Sequence, residues 1–475
     1  MSKNLGNLID LNKDLNKIAI ICEDQKITYR ALDILINHVS YYLLNKGIKK
    51  GDKVAILSLN SIDYVIIYLG ILRLGAVAVP INIKFTEKQI DYILKDADVK
   101  LVLKEIADIE INTNIEYLFN IEPEENDPST ILYTSGSMGH PKGVVISHNR
   151  KWEVLNKCKN NYVEKRVVLL ASPLYHGHSL TVMSVALAGH STLILLPQFD
   201  SKKFIKSIKQ HKINSFSCVP TMLSLILNEK DLIKETDLSS VVDINLHGDS
   251  FKQQLIEDIK KVFVNAEVHN RYGSTEAGSG LFVNHPNLPT PLMSVGYPNP
   301  EIQYRIVNEV LQIKSPSVML KYNNIDNNIF TEDGYYITND LFNIDEQGFY
   351  YYQGRSDNMI INGGNNIYPR QIELVLEKHP LVKEVVVIGL DDDIKGQKPY
   401  AFIISHNKEK HIVHIEKELK EHILKELPAN HCPKRIWVLD NFPLLGVNKV
   451  DKQELKKLAK NFITWNTSKH VVEYV

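Results

Sequence analysis

Twice near its start this chain runs through a helix-length apolar segment, meets a glycine, and passes at once into a short apolar run; no other feature constrains its fold as strongly. Apolar residues at 32, 35, 36, 39 and 43 recur at helical spacing, Gly47 stands where such a helix stops, and 54–57 follow as a strand. Residues 62–74, closed by Gly75, repeat the pattern ahead of a strand at 76–79. Thr86-x-x-Gln89 then opens a third helix as a capping box before a strand at 99–103. Strand-like runs at 167–171, 192–196, 213–219 and 241–246 are separated by helix-length segments. Alternation of this kind predicts an α/β fold of parallel sheets with helices on their faces. The most apolar stretch, 64–81, carries Arg73 and Pro80 and falls short of the ~20 clean residues a membrane-spanning helix needs. It reads as a buried helix followed by a buried strand.

At 475 residues there is room for about three domain-sized units. Beyond residue 300 the texture changes to short strands and turns, and from 357 onward to a compact α+β unit with the helix IEKELKEHILKEL among the strands EVVVIGL, PYAFIIS and RIWVLD. A formal charge of -1 gives no field to gather nucleic acid or an anionic membrane. The four cysteines form no Cys-x-x-Cys pair, and the N-terminal 17 residues have no continuous apolar core. Neither a disulfide framework, a thiolate zinc site nor export is indicated, so a cytoplasmic setting is expected.

The most informative segment is Tyr133-Thr134-Ser135-Gly136-Ser137-Met138-Gly139-His140-Pro141-Lys142-Gly143. Its glycines free the backbone to turn N–H groups toward an anion, its hydroxyls add donors, and Lys142 adds a point charge. The lysine precedes the last glycine with no hydroxyl after it, which departs from the G-x-x-x-x-G-K-[ST] loop of Walker-type NTPases. Taken alone, such a loop fits a phosphate cradle and a surface turn about equally well.

The order of residues in this loop resembles the signature of the adenylate-forming superfamily: acyl-CoA synthetases, peptide-synthetase adenylation domains and firefly luciferase. Other motifs repeat the resemblance in the same order, from about residue 27 to 455. Asn270-Arg271-Tyr272-Gly273-Ser274-Thr275-Glu276 is similar to the family's Tyr-Gly-x-Thr-Glu segment, and Thr338-Asn339-Asp340 to its Thr-Gly-Asp segment. Gly354-Arg355-Ser356-Asp357 with Gly363-Gly364 resembles its hinge and the glycine loop behind it. The stretch ending Val447-Asn448-Lys449-Val450-Asp451-Lys452 resembles its C-terminal lysine motif.

That resemblance implies a large N-terminal domain (1–354) of αβαβα layers with a β-rich subdomain from about 300, a hinge at 355–357 pivoting on Asp357, and a small mobile C-terminal α+β domain (358–475). It implies activation of a carboxylic acid by ATP as acyl-AMP, then transfer to the thiol of CoA. Thr134, Ser135, Gly136, Ser137, Gly139 and Lys142 would hold the β- and γ-phosphates, Thr275 the α-phosphate, and Glu276 a Mg2+ ion. His247, Gly248, Asp249, Asn270, Tyr272 and Gly273 would surround the nucleotide, and Asp340 with Arg355 the ribose. Lys449 would neutralise charge in adenylation, while Gly363 and Gly364 would line the thiol channel. His176, His178 and Ser179, in the acyl-CoA synthetase form of their segment, would form the acid pocket with His176 as its gate; the Phe-Asp pair of amino-acid-activating relatives is missing. Alternatives within the family are transfer to the phosphopantetheine arm of an acyl carrier protein, and a catalytically silent nucleotide-binding relative. Asn339 and Val447-Asn448 depart from the family's usual residues. Since a carboxylic acid with pKa near ~4 arrives ionised at pH 7, such a site needs positioning and charge neutralisation rather than a strong general base.

Overall fold

The short apolar runs that follow helices in the sequence are parallel strands in the structure. This computed structural model describes residues 3–106, 121–134, 141–158, 166–248, 253–325, 329–406, 412–444 and 450–468. Strands β1 (Ile18–Cys22), β2 (Gln25–Thr28), β3 (Lys53–Ile56), β4 (Val77–Pro80), β5 (Val99–Leu103), β6 (Pro128–Thr134), β7 (Lys142–Ser147), β8 (Val167–Leu170), β9 (Thr192–Leu195), β10 (Ser215–Cys218), β11 (Asp243–Leu246) and β12 (Glu267–Asn270) alternate with helices. Those helices include α1 (Tyr29–Asn45), α2 (Ile62–Arg73), α3 (Glu87–Asp96), α4 (His148–Cys158) and α5 (Gly177–Ala188). One sheet has the order β12-β11-β10-β8-β9-β1-β2 and is parallel apart from the β1–β2 hairpin. A second runs Lys321–Tyr322, β7, β6, β4, β3, β5; its first three strands are antiparallel and the rest parallel.

Local chemistry explains the boundaries. The Thr86–Gln89 capping box forms as expected, with the Gln89 backbone N–H donating to Thr86 Oγ1 at 3.3 Å and the Thr86 N–H to Gln89 Oε1 at 3.0 Å. Gly47 and Gly75 follow their helices at φ +80° and +76°, where a side chain would be strained. Every residue of α2 except Asp63 is buried, so this helix is apolar all round and Arg73 needs a buried partner: its Nη2 meets Asp33 Oδ1 at 2.5 Å. The expected strand at 213–219 ends at Cys218 because Pro220 opens a helix at its first position and Val219 becomes the cap. Among the described residues no helix is long and apolar enough to cross a membrane.

The chain divides into two compact units. The first comprises Met1–Arg305, Gln312–Ile337 and Glu346–Tyr350; the second comprises Ile306–Leu311, Thr338–Asp345 and Tyr351–Val475. The second unit carries an antiparallel sheet ordered Asn365–Ile367, Ile360–Asn362, Gly396–Ser405, Val382–Asp392, with Ile436–Val438 alongside Gly396–Ser405. Val385, Val387, Ala401 and Ile403 pack with Ile415 and Leu419 on one face, while Val386, Ile388, Tyr400 and Phe402 pack with Leu455 and Ala459 on the other. Burial of both faces is why EVVVIGL reads as a continuous apolar run rather than an alternating one.

Candidate functional site

In the first unit, the glycine- and hydroxyl-rich loop joins β6 to β7, whose register pairs Thr134 with Lys142. Ser135, Gly136, Ser137 and Gly139 lie outside the described residues. The base of the loop is tightly built. A side chain on Gly143 would approach Ile131, Tyr133 and Asn323 to 3.0–3.1 Å, so close packing rather than backbone angle favours glycine here. Asp96, at the end of α3, takes hydrogen bonds from Tyr133 Oη (2.5 Å) and Asn323 Nδ2 (3.0 Å), fixing the strand that enters the loop against the segment after Tyr322.

Tyr322 brings two of the expected residues together. Its hydroxyl donates to Glu276 Oε1 at 3.0 Å, and Lys142 Nζ lies 5.7 Å from the centre of its ring. The Thr275–Glu276 segment is itself pinned: Met319 N–H donates to the Glu276 carbonyl at 2.7 Å, and Arg150 Nη2 to the Thr275 carbonyl at 2.7 Å. Gly273 is forced by the same turn, since a Cβ there would stand 2.5 Å from the Gly278 carbonyl oxygen.

Arg150 and Tyr322 belong to no motif that singled them out. Arg150 is only 5% exposed, and its Nη1 has no hydrogen-bond partner among the described residues. Burial pushes its guanidinium down to about 9, and the nearby Glu276 and Tyr336 oppose that shift. The signal that could have found it is compositional, because arginine is rare here, nine residues against 46 lysines.

His176 caps α5 through its backbone alone, and Tyr175 packs edge-on against it at 4.7 Å. His178 and His247, expected in the acid pocket and beside the nucleotide respectively, stack on each other with ring centres 3.5 Å apart. Burial, reinforced by His176, pushes the His178 imidazole down to about 4, so it is neutral at pH 7. Ser179 lies beside it on α5, and Gly248 follows His247 at φ +93°. Asn270, at the end of β12, donates to the Met293 carbonyl at 3.1 Å, and the Tyr272 ring meets Phe282 at 5.8 Å. Asp249 lies outside the described residues.

In the second unit, Asp340 is 5% exposed and is positioned by Thr338, whose Oγ1 donates to the Leu311 carbonyl and accepts from the Asp340 N–H. Arg355 reaches Asp340 Oδ1 at 3.4 Å and grips Asp357 through Nε (3.0 Å) and Nη2 (2.8 Å). Burial opposes the guanidinium charge, but Asp357 and Asp340 outweigh it and hold the group charged. Asn339 has φ +58°, which explains both the glycine expected at that position and why asparagine replaces it, since its short polar side chain tolerates left-handed backbone better than most. Asn339→Gly is therefore expected to leave stability within about 0.5 kcal/mol, whereas Asn339→Val should lower it by about 1–2 kcal/mol. Denaturant unfolding checks both.

Gly363 and Gly364, at φ +59° and +82°, form the two-residue turn of the hairpin that pairs Asn362 with Asn365. Positive φ at both positions is a sufficient backbone reason for the pair. Lys449 lies outside the described residues.

Residues 10–322 match the AMP-binding enzyme family and residues 371–449 match the AMP-binding enzyme C-terminal domain. A 2-succinylbenzoate–CoA ligase from Bacillus cereus is 28% identical over 474 residues, covering 94% of this chain and 96% of that protein. ATP-bound MatB from Rhodopseudomonas palustris superposes with a TM-score of 0.88 at 25% identity, over 97% of this chain and 100% of its own. The o-succinylbenzoate CoA synthetase MenE from Bacillus subtilis, in complex with its acyl-adenylate intermediate, gives 0.81 at 27% identity over 96% and 98%.

Proposed function

This chain belongs to the AMP-binding enzyme family, and on that premise we propose that it is an AMP-forming acid–CoA ligase. A carboxylate oxygen attacks the α-phosphorus of ATP, the bond to the β-phosphate breaks, and pyrophosphate leaves. The CoA sulfur, having lost its proton, then attacks the acyl carbon and AMP departs. Support comes from the relatives, a 2-succinylbenzoate–CoA ligase and an enzyme seen with its acyl-adenylate, and the observation that carries most weight is the cluster of Lys142, Glu276 and Arg150 about Tyr322 and Thr275.

Within it, Thr134 and Lys142, with Ser135, Gly136, Ser137 and Gly139, hold the terminal phosphates, and Thr275 the α-phosphate. Glu276 fits a magnesium ligand: it is a hard oxygen donor steadied by Tyr322, and the described residues contain no cluster of three or more His, Cys, Asp or Glu side chains. Mg2+ typically takes one or two carboxylates together with substrate phosphates, and when bound supplies charge neutralisation to the leaving pyrophosphate. The Bacillus subtilis relative is also known with ATP and magnesium. His247, Gly248, Asp249, Asn270, Tyr272 and Gly273 enclose the nucleotide, Asp340 accepts from the ribose hydroxyls, and Arg355 orients Asp340. Lys449 steadies the charge at the reacting carboxylate and α-phosphate. Asp357 is the pivot, and Gly363 with Gly364 gives the pantetheine arm a narrow passage; His176 gates the acid. Free Cys22, Cys218 and Cys432 suit a cytoplasmic setting.

The protein incubated with ATP, Mg2+, CoA and a panel of carboxylic acids should yield acyl-CoA, AMP and pyrophosphate in a ratio of one to one to one. Release of ADP and phosphate would contradict the mechanism. Acylation of a carrier protein in place of CoA would move the acceptor to a phosphopantetheine arm.

A further inference from the structure

His178 lies in the first turn of α5, and His247 directly follows β11. Both stand at the carboxyl edge of the parallel strands β8, β10 and β11, the edge at which open α/β sheets receive small ligands. The Nε2 of His178 is closed off from solvent and has no hydrogen-bond partner among the described residues. The neighbouring Ser179 Oγ is in the same state. A helical serine commonly returns its hydroxyl to the carbonyl four residues back, as Thr181 does here to Gly177 at 2.9 Å. Ser179 does not. Buried polar atoms are nearly always paired, so two orphans on consecutive residues call for something that pairs them.

The surroundings limit what that can be. In the same turn of α5 a Cβ on Gly177 would come within 3.0 Å of the apolar Leu132 side chain. Among the described residues no lysine or arginine influences His178; burial and His176 do, and both oppose a positive charge on the ring. The His247 ring at 3.5 Å leaves no room for a counter-charge between them. A second carboxylate placed here would lose its hydration and gain no cation among the described residues in return. A saturated chain would leave both orphan atoms unpaired. A hydroxyl or carbonyl oxygen satisfies them without bringing charge.

We propose that His178, stacked on the His247 ring that borders the nucleotide, forms with Ser179 the specificity-determining wall of the acid pocket, and that the acid carries an uncharged hydroxyl or carbonyl group away from its reacting carboxylate. This assignment rests on acid activation beside His176. The 2-succinylbenzoate in the Bacillus relatives' names carries both a ketone and a second carboxylate; the class named here keeps the uncharged oxygen and lacks the second charge.

The test uses matched trios of acids on straight-chain and aromatic skeletons: the parent monocarboxylic acid, its hydroxy or keto derivative, and the corresponding dicarboxylic acid. Specificity constants are read from acid-dependent exchange of pyrophosphate into ATP. On the best skeleton the hydroxy or keto acid should exceed both other members by roughly tenfold or more. His178→Phe, which keeps a stacking ring and removes the nitrogens, should collapse the derivative-to-parent ratio to about one, and His178→Asn should restore part of it. If the phenylalanine variant fails to fold by thermal melting, Ser179→Ala should still lower the ratio several-fold. Preference for the parent or the dicarboxylic acid, or a ratio unchanged in the folded variants, overturns the assignment while leaving adenylation intact. Exchange with no acid at all overturns adenylation itself, and the assignment with it.

Discussion

Lys449→Ala is expected to slow acid-dependent adenylation about 100- to 1000-fold, the loss typical when one preorganised charge facing a transition state is removed. The fall should appear in kcat and kcat/KM alike, because a cation that acts as charge redistributes between carboxylate and α-phosphate contributes little to ground-state binding. Thioester formation from chemically prepared acyl-AMP should persist within a few-fold, since that half-reaction makes no bond to phosphorus. Single-turnover measurement of each half-reaction separates the two. Lys449→Arg keeps the charge but changes its shape and hydration, so it should recover only part of the rate. Equal loss of both half-reactions, or none, would show that this lysine does not serve adenylation, and an unchanged rate would revive a catalytically silent relative.

Arg150→Ala carries the second large effect, on stability as well as on activity. The guanidinium is buried, hydrogen-bonded to the Thr275 carbonyl and close enough to Glu276 for their charges to interact. Removing the guanidinium leaves the Thr275 carbonyl without its donor, at a cost of about 1–3 kcal/mol. A fall of several degrees in the melting temperature should follow. Magnesium–ATP binding, which depends on the placement of Glu276 if that residue holds the metal as proposed, should weaken at least tenfold by calorimetry, whereas AMP, lacking the β- and γ-phosphates, should bind nearly as before. Arg150→Lys should restore part of the stability. Parallel loss of both nucleotides would mean that Arg150 only maintains the fold.

The parts of the fold legible in the sequence are those governed by local rules. The capping box at Thr86, the glycines that end α1 and α2, the largely buried strands β3 and β4, and the edge strand β5 all announce themselves through spacing and composition. Strand β1 does not, because its partner β9 lies some 170 residues away and no local signal encodes that pairing. The antiparallel strand β7 is likewise hidden behind the loop it closes. At the candidate site, motif residues were readable by order along the chain, but Tyr322 and Arg150 act through contacts between distant segments. Arginine scarcity is the one faint signal. Each of the nine hydrogen-bonds a definite partner, among them Asp33 with Arg73, Asp243 with Arg166, Asn245 with Arg271, Asp333 with Arg305 and Glu377 with Arg370. In a lysine-rich chain, a rare bidentate donor marks positions where geometry matters. Asn339, an apparent departure from the family pattern, turns out to meet the backbone requirement that glycine usually meets.

Isotope exchange between labelled pyrophosphate and ATP, with magnesium and an acid panel but no CoA, tests the central claim most directly. Reversible acyl-AMP formation predicts label in ATP only when a suitable acid is present, and loss of that label in Glu276→Gln. Exchange independent of acid, or none with a folded protein that binds ATP, would contradict it.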